Sequence, residues 1–103
     1  MSKMGIDQVI PETQSEVTVG ATSTEILPDR NGTVDDRAFA LITNNGAEPL
    51  YLAFGKDAVL NEGVRVNAVG GSFQIDLSNS YRGIVNGISA SGGLSVCVFE
   101  ATY

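Results

Sequence analysis

The sequence predicts an all-β fold, a small antiparallel β-sandwich of which a jelly roll is one form. Several short segments alternate apolar and polar residues, which is the period of a half-buried strand. Turn signals built from Gly, Asn and Pro separate these segments at the spacing typical of sandwiches and barrels. No stretch longer than a few residues shows helical periodicity, so we expect about seven or eight short strands.

Length and composition predict one folded domain made in a reducing cytosol. The chain has 103 residues, of which 43% are hydrophobic, and this is too apolar for a disordered protein. Its net charge is −6 with six Lys and Arg in all, which excludes the dense positive surface that nucleic-acid phosphates require. We find neither a signal peptide nor an apolar run of transmembrane length. We therefore expect no direct nucleic-acid partner and no membrane partner.

The N-terminal segment differs in texture from the rest of the chain. Residues 1–14 carry little pattern and are interrupted by Gly5 and Pro11, so we place an N-terminal arm at 1–14 and the sandwich domain at 15–103. Two interpretations stay open, a frayed terminus and an arm that becomes ordered against a neighbouring subunit. In the second interpretation the apolar anchors are Ile6, Val9 and Ile10.

The first half of the domain contains the most apolar strands. Residues 16–27 are expected to form one strand with a bulge or two short strands. Residues 37–43 are apolar on both faces, which is typical of a central strand covered on both sides. Residues 49–54 place Leu50 and Leu52 on one face and Tyr51 on the other. With the Asn-Asn-Gly turn between them, the last two segments predict a β-hairpin.

The second half gives clearer alternation. Residues 72–77 alternate, residues 83–90 are interrupted by Gly87, and residues 94–102 form the last strand. Gly87 is expected to mark a bulge or a close backbone approach. Taken with the first half, these segments predict a core that includes Phe39, Leu41, Leu52, Phe73, Ile75, Val96 and Val98.

Residues suited to catalysis or metal binding are sparse, and we expect neither enzymatic activity nor a cofactor. Histidine is absent, so the usual general base and the usual catalytic triad are missing. Cys97, the single cysteine, lies between two valines and is expected to be a buried hydrophobe rather than a nucleophile. Asp29, Asp35 and Asp36 could offer oxygen ligands to Ca²⁺, but their spacing does not match an EF-hand and a solvated acidic loop is the commoner outcome.

An aromatic–basic pair is the remaining candidate for binding. Tyr81 and Arg82 could stack on a sugar or grip a protein partner, and the alternative is that Tyr81 caps a loop. With the arm residues, the candidate partner-binding set is Ile6, Val9, Ile10, Tyr81 and Arg82.

Two neighbouring segments share a distinctive pattern. The first is an Arg followed by alternating hydrophobic positions and an Asn, RAFALITNNG at 37–46; the second is PLYLAFG at 49–55. Together they resemble small structural proteins of double-stranded DNA bacteriophage particles. Later segments fit the same texture, GV at 63–64, GGSF at 70–73 and GIVNGISA at 83–90. The resemblance covers about residues 22–100 and consists of strand and turn patterns rather than catalytic signatures.

The resemblance implies a virion component, synthesised in the host cytoplasm. The expected role is a capsid decoration (cement) protein that contacts the major capsid protein and assembles as a homo-oligomer, with a trimer favoured. An alternative of a different class is a glycan- or receptor-binding module of a phage spike or fibre, which would use its loop tips.

Overall fold

The computed structural model describes residues 10–31, 36–76 and 78–103, and these residues form an all-β protein. Of the predicted sites, Ile6, Val9 and Asp35 lie outside the described residues. The strands are β1 (Ile10–Val19), β2 (Thr24–Leu27), β3 (Arg37–Asn44), β4 (Leu50–Phe54), β5 (Val64–Val66), β6 (Ser72–Ile75), β7 (Val85–Ile88) and β8 (Leu94–Thr102).

The strands form two antiparallel sheets of four, which confirms the predicted β-sandwich. Sheet A has the order β1-β8-β3-β6 and sheet B has the order β2-β7-β4-β5. Among the described strands, every connection except β4–β5 crosses from one sheet to the other, and this is the winding of a jelly roll. The predicted hairpin of β3 and β4 is wrong, because β3 pairs with β6 and β8 while β4 pairs with β5 and β7.

The core lies between the inner faces of the two sheets. Four of the predicted core residues are buried there, Leu52, Ile75, Val96 and Val98, and Phe73 packs partly buried against them. For Phe39 and Leu41 the prediction is wrong, because both lie half-buried on the outer face of sheet A. The inner positions of β3 are instead Ala40 and Ile42. The register of β8 decides this, since Ile42 pairs with Val98, whose side chain faces the core.

Gly87 marks a close approach, one of the two predicted alternatives. A Cβ atom at this position would lie 2.4 Å from Ile26 Cδ1 and 3.0 Å from Leu50 Cδ1. The missing side chain therefore lets β7 sit in the middle of sheet B with its neighbours packed tightly over it.

β1 begins inside the predicted arm. Residues 10–14 pair with the end of β8 and form the outer edge of sheet A, with a register irregularity between Pro11 and Thr13. The segment that precedes the described residues therefore enters the fold at a sheet edge, at Ile10.

Candidate functional site

One end of the sandwich, which we call the basal end, brings together the described residues of the predicted binding set. Ile10 pairs with Thr102 at the close of β8, and the next residue, Tyr103, donates its backbone N–H to the carbonyl of Asp36 at 3.1 Å. The Asp36 side chain pairs with Arg82, Nη1 to Oδ2 at 3.2 Å. Residues from the start, middle and end of the chain thus lie at one end of the molecule.

A buried charged cluster fills the interior of the basal end. The Glu100 carboxylate on β8 accepts hydrogen bonds from Arg37 Nε at 2.8 Å and from Arg30 Nη2 at 2.9 Å and Nε at 3.2 Å. The side chains of Glu100 and Arg37 are both 0% exposed. Arg37 also donates to three backbone carbonyl oxygens, those of Pro28, Tyr81 and Gly83.

These contacts keep Glu100 ionised and join separate parts of the chain. Burial alone would raise the pKa of Glu100, but the hydrogen bonds and charges of Arg30 and Arg37 outweigh burial and lower the pKa below its usual value. The cluster connects β8 and β3 to residues 28–30 and 81–83. This cluster was not predicted from the sequence, although Glu100 stands in phase with Val96 and Val98 and so had to face inward.

Tyr81 and Arg82 both make intramolecular contacts. The Tyr81 ring packs edge-to-face on Phe54 with 5.3 Å between centroids, and its hydroxyl donates to the carbonyl of Ile84 at 2.9 Å. Burial, followed by the charge of Asp29, raises the pKa of Tyr81. Tyr81 therefore anchors the loop before β7, whereas Arg82, with a side chain 36% exposed, keeps part of its surface toward solvent.

A second candidate surface is the outer face of sheet A. Phe39 and Phe99 pack with ring centroids 6.0 Å apart, and Leu41 lies opposite Phe99 across the β3–β8 ladder. Cys97 is exposed on the same face, so its predicted burial is wrong, because alternation along β8 turns it away from the core. Leu41, Cys97 and Phe99 help to line a shallow groove of about 480 Å³, which we call the sheet A groove. Its lining residues are Gln14, Ser15, Glu16, Leu41, Thr43, Cys97, Val98 and Phe99.

Part of the outer face of sheet B is covered by a loop. Val85 and Gly87 face the core, so Asn86 between them points outward, and it donates through Nδ2 to the carbonyl of Lys56 at 2.8 Å. Farther along the same loop, the backbone N–H of Ala58 donates to Ser23 Oγ at 2.9 Å and Ala58 is buried. The loop between β4 and β5 thus lies across sheet B.

The acidic loop gives the calcium alternative little support. Asp29 Oδ1 accepts a hydrogen bond from the backbone N–H of Asn31, and Asp36 faces Arg82. Among residues 10–31, 36–76 and 78–103, no group of three or more His, Cys, Asp or Glu residues could hold a metal ion. The third carboxylate of the predicted set, Asp35, lies outside those ranges.

Comparison of the chain with protein-family models, curated proteins and solved structures found no match. Within the described ranges there is also no helix of the length and apolarity needed to cross a membrane.

Proposed function

We propose that this chain is a non-enzymatic structural protein of a double-stranded DNA bacteriophage particle. In this role it is a decoration (cement) protein that binds the major capsid protein as a homo-oligomer, with a trimer favoured, and braces the head. Its site of action is the virion.

The observation that carries the proposal is the convergence at the basal end. Ile10 is 53% exposed there, and Arg82 is partly exposed beside Asp36 and the end of the chain. Behind them the Glu100 cluster fixes the supporting loops with charge-assisted hydrogen bonds, which are stronger than those between neutral groups. An exposed apolar residue and an Arg on a rigid base are features of attachment surfaces between proteins.

The fold agrees with this role by analogy alone. Eight-stranded jelly rolls serve as viral capsid domains and as lectins, so the architecture is compatible with both the decoration role and the glycan-binding alternative. The contacts of Tyr81 favour the decoration role. Its ring packs on Phe54 and its hydroxyl donates to the carbonyl of Ile84, so both groups already serve the fold and less of this tyrosine is available to a sugar.

Attachment to capsids tests the proposal directly. Purified protein is mixed with heads of the parent phage that lack it, and bound copies are counted by sedimentation and quantitative gel analysis. We expect saturable binding that Arg82→Glu weakens at least tenfold. The loss of the Arg82–Asp36 pair itself should cost little stability, because the pair is near the surface.

Arg65→Glu is the matched control. Arg65 is exposed on β5, at the edge of sheet B, and its substitution changes the net charge by the same amount. Binding of the Arg65→Glu protein should equal that of the unmodified protein. No binding to the heads at saturating concentration would overturn the proposed function, and equal losses for both variants would show that net charge rather than the basal end matters.

A further inference from the structure

We propose that the sheet A groove binds residues 1–9 of a second copy of this chain. The inference is independent of any role in a phage particle, because it concerns the free protein in solution.

The groove has the character of a peptide-binding site. Its apolar side is lined by Leu41, Cys97 and Phe99, and its polar wall is the edge strand β1, with Gln14 and Glu16. Ser95 Oγ donates a hydrogen bond to the Glu16 carboxylate, which holds this wall in place. A volume of about 480 Å³ is within the range of sites that take a small ligand or a few side chains. The polar wall limits the apolar surface to a strip one segment wide.

The residues that precede the described structure supply a segment of matching chemistry. Residues 1–9 read MSKMGIDQV and contain Met4, Ile6 and Val9, with Lys3 and Asp7 as the charged positions. In extended conformation nine residues span up to ~30 Å, whereas the groove runs beside only three residues of β1, Gln14 to Glu16, which is roughly 10 Å. The segment is therefore long enough to fill the groove and still bridge the distance from a neighbouring molecule.

The direction in which β1 runs favours binding of residues 1–9 in the groove of a second copy rather than in the groove of the same chain. The groove lies beside residues 14–16 of β1, whereas residue 9 is joined to Ile10, which is paired with Thr102 at the basal end. The direction of β1 points the chain before Ile10 away from its own groove. To reach that groove the chain would have to reverse within a few residues, using much of its length in the turn. A neighbouring molecule can be reached without a reversal.

Association of the free protein gives the first test. Sedimentation equilibrium of the full chain should show a concentration-dependent oligomer, and deletion of residues 1–9 should raise its dissociation constant at least tenfold. Cys97→Arg should do the same, since Cys97 is exposed and an Arg there fills the groove without disturbing the core. Val59→Arg is the matched control, because Val59 is 50% exposed and lies outside the groove. It should leave association unchanged.

A disulfide gives the second test and separates the possible occupants. Ile6→Cys is combined with the natural Cys97 and mildly oxidised. The controls are the same variant with Cys97→Ser and the unmodified protein, in which only a Cys97–Cys97 link can form. We expect linked chains on a non-reducing gel that are absent from both controls. A disulfide formed within one chain would overturn the proposal in favour of the chain's own segment. A full-length protein that is monomeric would also overturn the proposal. So would an oligomer that the deletion of residues 1–9 leaves unchanged, and that result would indicate direct packing of two sheet faces. Capsid attachment plays no part in either test.

Discussion

The two ends of the sandwich are closed by two buried polar side chains from the same strand. β3 begins at Arg37 and ends at Asn44, and both residues are essentially inaccessible to solvent. Arg37 closes the basal end with a charge balanced by Glu100. Asn44 closes the opposite, apical end with a neutral amide.

The apical end is held together by a neutral side chain instead of a charged one. Asn44 Nδ2 donates to the carbonyls of Glu48 at 2.8 Å and Val66 at 3.1 Å, and its Oδ1 accepts from the N–H of Gly46 at 3.0 Å. Its backbone carbonyl accepts from the N–H of Gly70 at 2.7 Å. The side-chain amide thus joins the β3–β4 connection to the end of β5, and the backbone carbonyl of the same residue holds the β5–β6 connection.

Because one end is closed by charged side chains and the other by a neutral amide, a substitution destabilises the two ends to different extents. A neutral amide that is removed leaves unsatisfied carbonyls, each with a modest cost. A charged cluster that loses one member leaves another charge buried without its partner, which costs several times more and depends on pH. The basal end is therefore expected to be the more sensitive of the two to substitution and to acid.

The largest effect is expected from Glu100→Gln. This change keeps the size of the side chain but leaves the fully buried Arg37 and its neighbour Arg30 without their shared counter-charge. We expect a loss of about 3–5 kcal/mol in the free energy of unfolding, measured by urea denaturation at pH 7. The exposed Glu25, changed to Gln, is the matched control and should shift stability by about 0.5 kcal/mol at most. Equal stabilities of the two variants would contradict a stabilising role for the cluster.

Asn44→Ala should lower the free energy of unfolding by less, about 1–3 kcal/mol in the same urea denaturation experiment. The carbonyls of Glu48 and Val66 and the N–H of Gly46 lose their partner, but no charge is left buried. Asn45→Ala is the control, because Asn45 is the exposed neighbour of the same residue type. A loss as large as that of Glu100→Gln would remove the distinction drawn between the two ends.

Acid should destabilise the basal end selectively. The pKa of Glu100 is lower in the folded protein than its ordinary value of 4.5, so its contribution is complete above that pH and is lost as the pH falls through the folded-state value. Between pH 6 and pH 3, the unmodified protein should therefore lose more stability than Glu100→Gln. Asp76, whose pKa is lowered by hydrogen bonds from Ser78 and Gln74, acts in the same direction. The Asp76→Asn variant shows how much of the pH-dependent loss of stability comes from Asp76. Identical pH profiles of stability for the unmodified and Glu100→Gln proteins would contradict the prediction.

Alternation in sequence was enough to predict inward residues on three strands, Leu52 of β4, Ile75 of β6 and Val96 of β8. In β8 it was not enough for every position, because the other face carries Cys97 and Phe99 and the burial predicted for Cys97 was wrong. β3 is apolar on both faces, and local pattern could not tell Phe39 from Ala40 as the inward residue. The choice depends on its register with β8, which is more than 50 residues away in sequence.

The candidate sites were less predictable for the same reason. The inward phase of Glu100 was readable, but its partner Arg37 lies 63 residues away and could not be identified from spacing. The convergence of Ile10 and Arg82 at the basal end likewise follows from the jelly-roll winding, which pairs the beginning of β1 with the end of β8. The sheet A groove was not predicted, because Phe39 and Leu41 of β3 were assigned to the core. They lie on the outer face, where Leu41 lines the groove.

The smallest predicted effect is a gain, and it lies at the apical end. Val69 has a φ of 56°, in the left-handed region that costs L-residues roughly 1–2 kcal/mol and suits β-branched side chains least. It is held there by hydrogen bonds from its own N–H to the carbonyl of Gly46 and from Gly70 N–H to that of Asn44. Its side chain is 81% exposed, so replacing it removes little packing. Asn tolerates this conformation, and Asn61 already adopts a φ of 67°.

We therefore expect Val69→Asn to raise the free energy of unfolding by about 0.5–1 kcal/mol. Val69→Ala is the control, because it removes the branched side chain but keeps a Cβ atom, and it should recover a smaller part of the gain. In the Asn44→Ala background the gain should shrink, because Gly46, whose carbonyl accepts from the Val69 N–H, then loses the hydrogen bond from its own N–H to Asn44 Oδ1 and holds the loop less firmly. A gain of the same size in both backgrounds would show that Asn44 does not hold Val69 in its strained conformation. A loss of stability in Val69→Asn would show that the exposed side chain makes a contact that outweighs the strain.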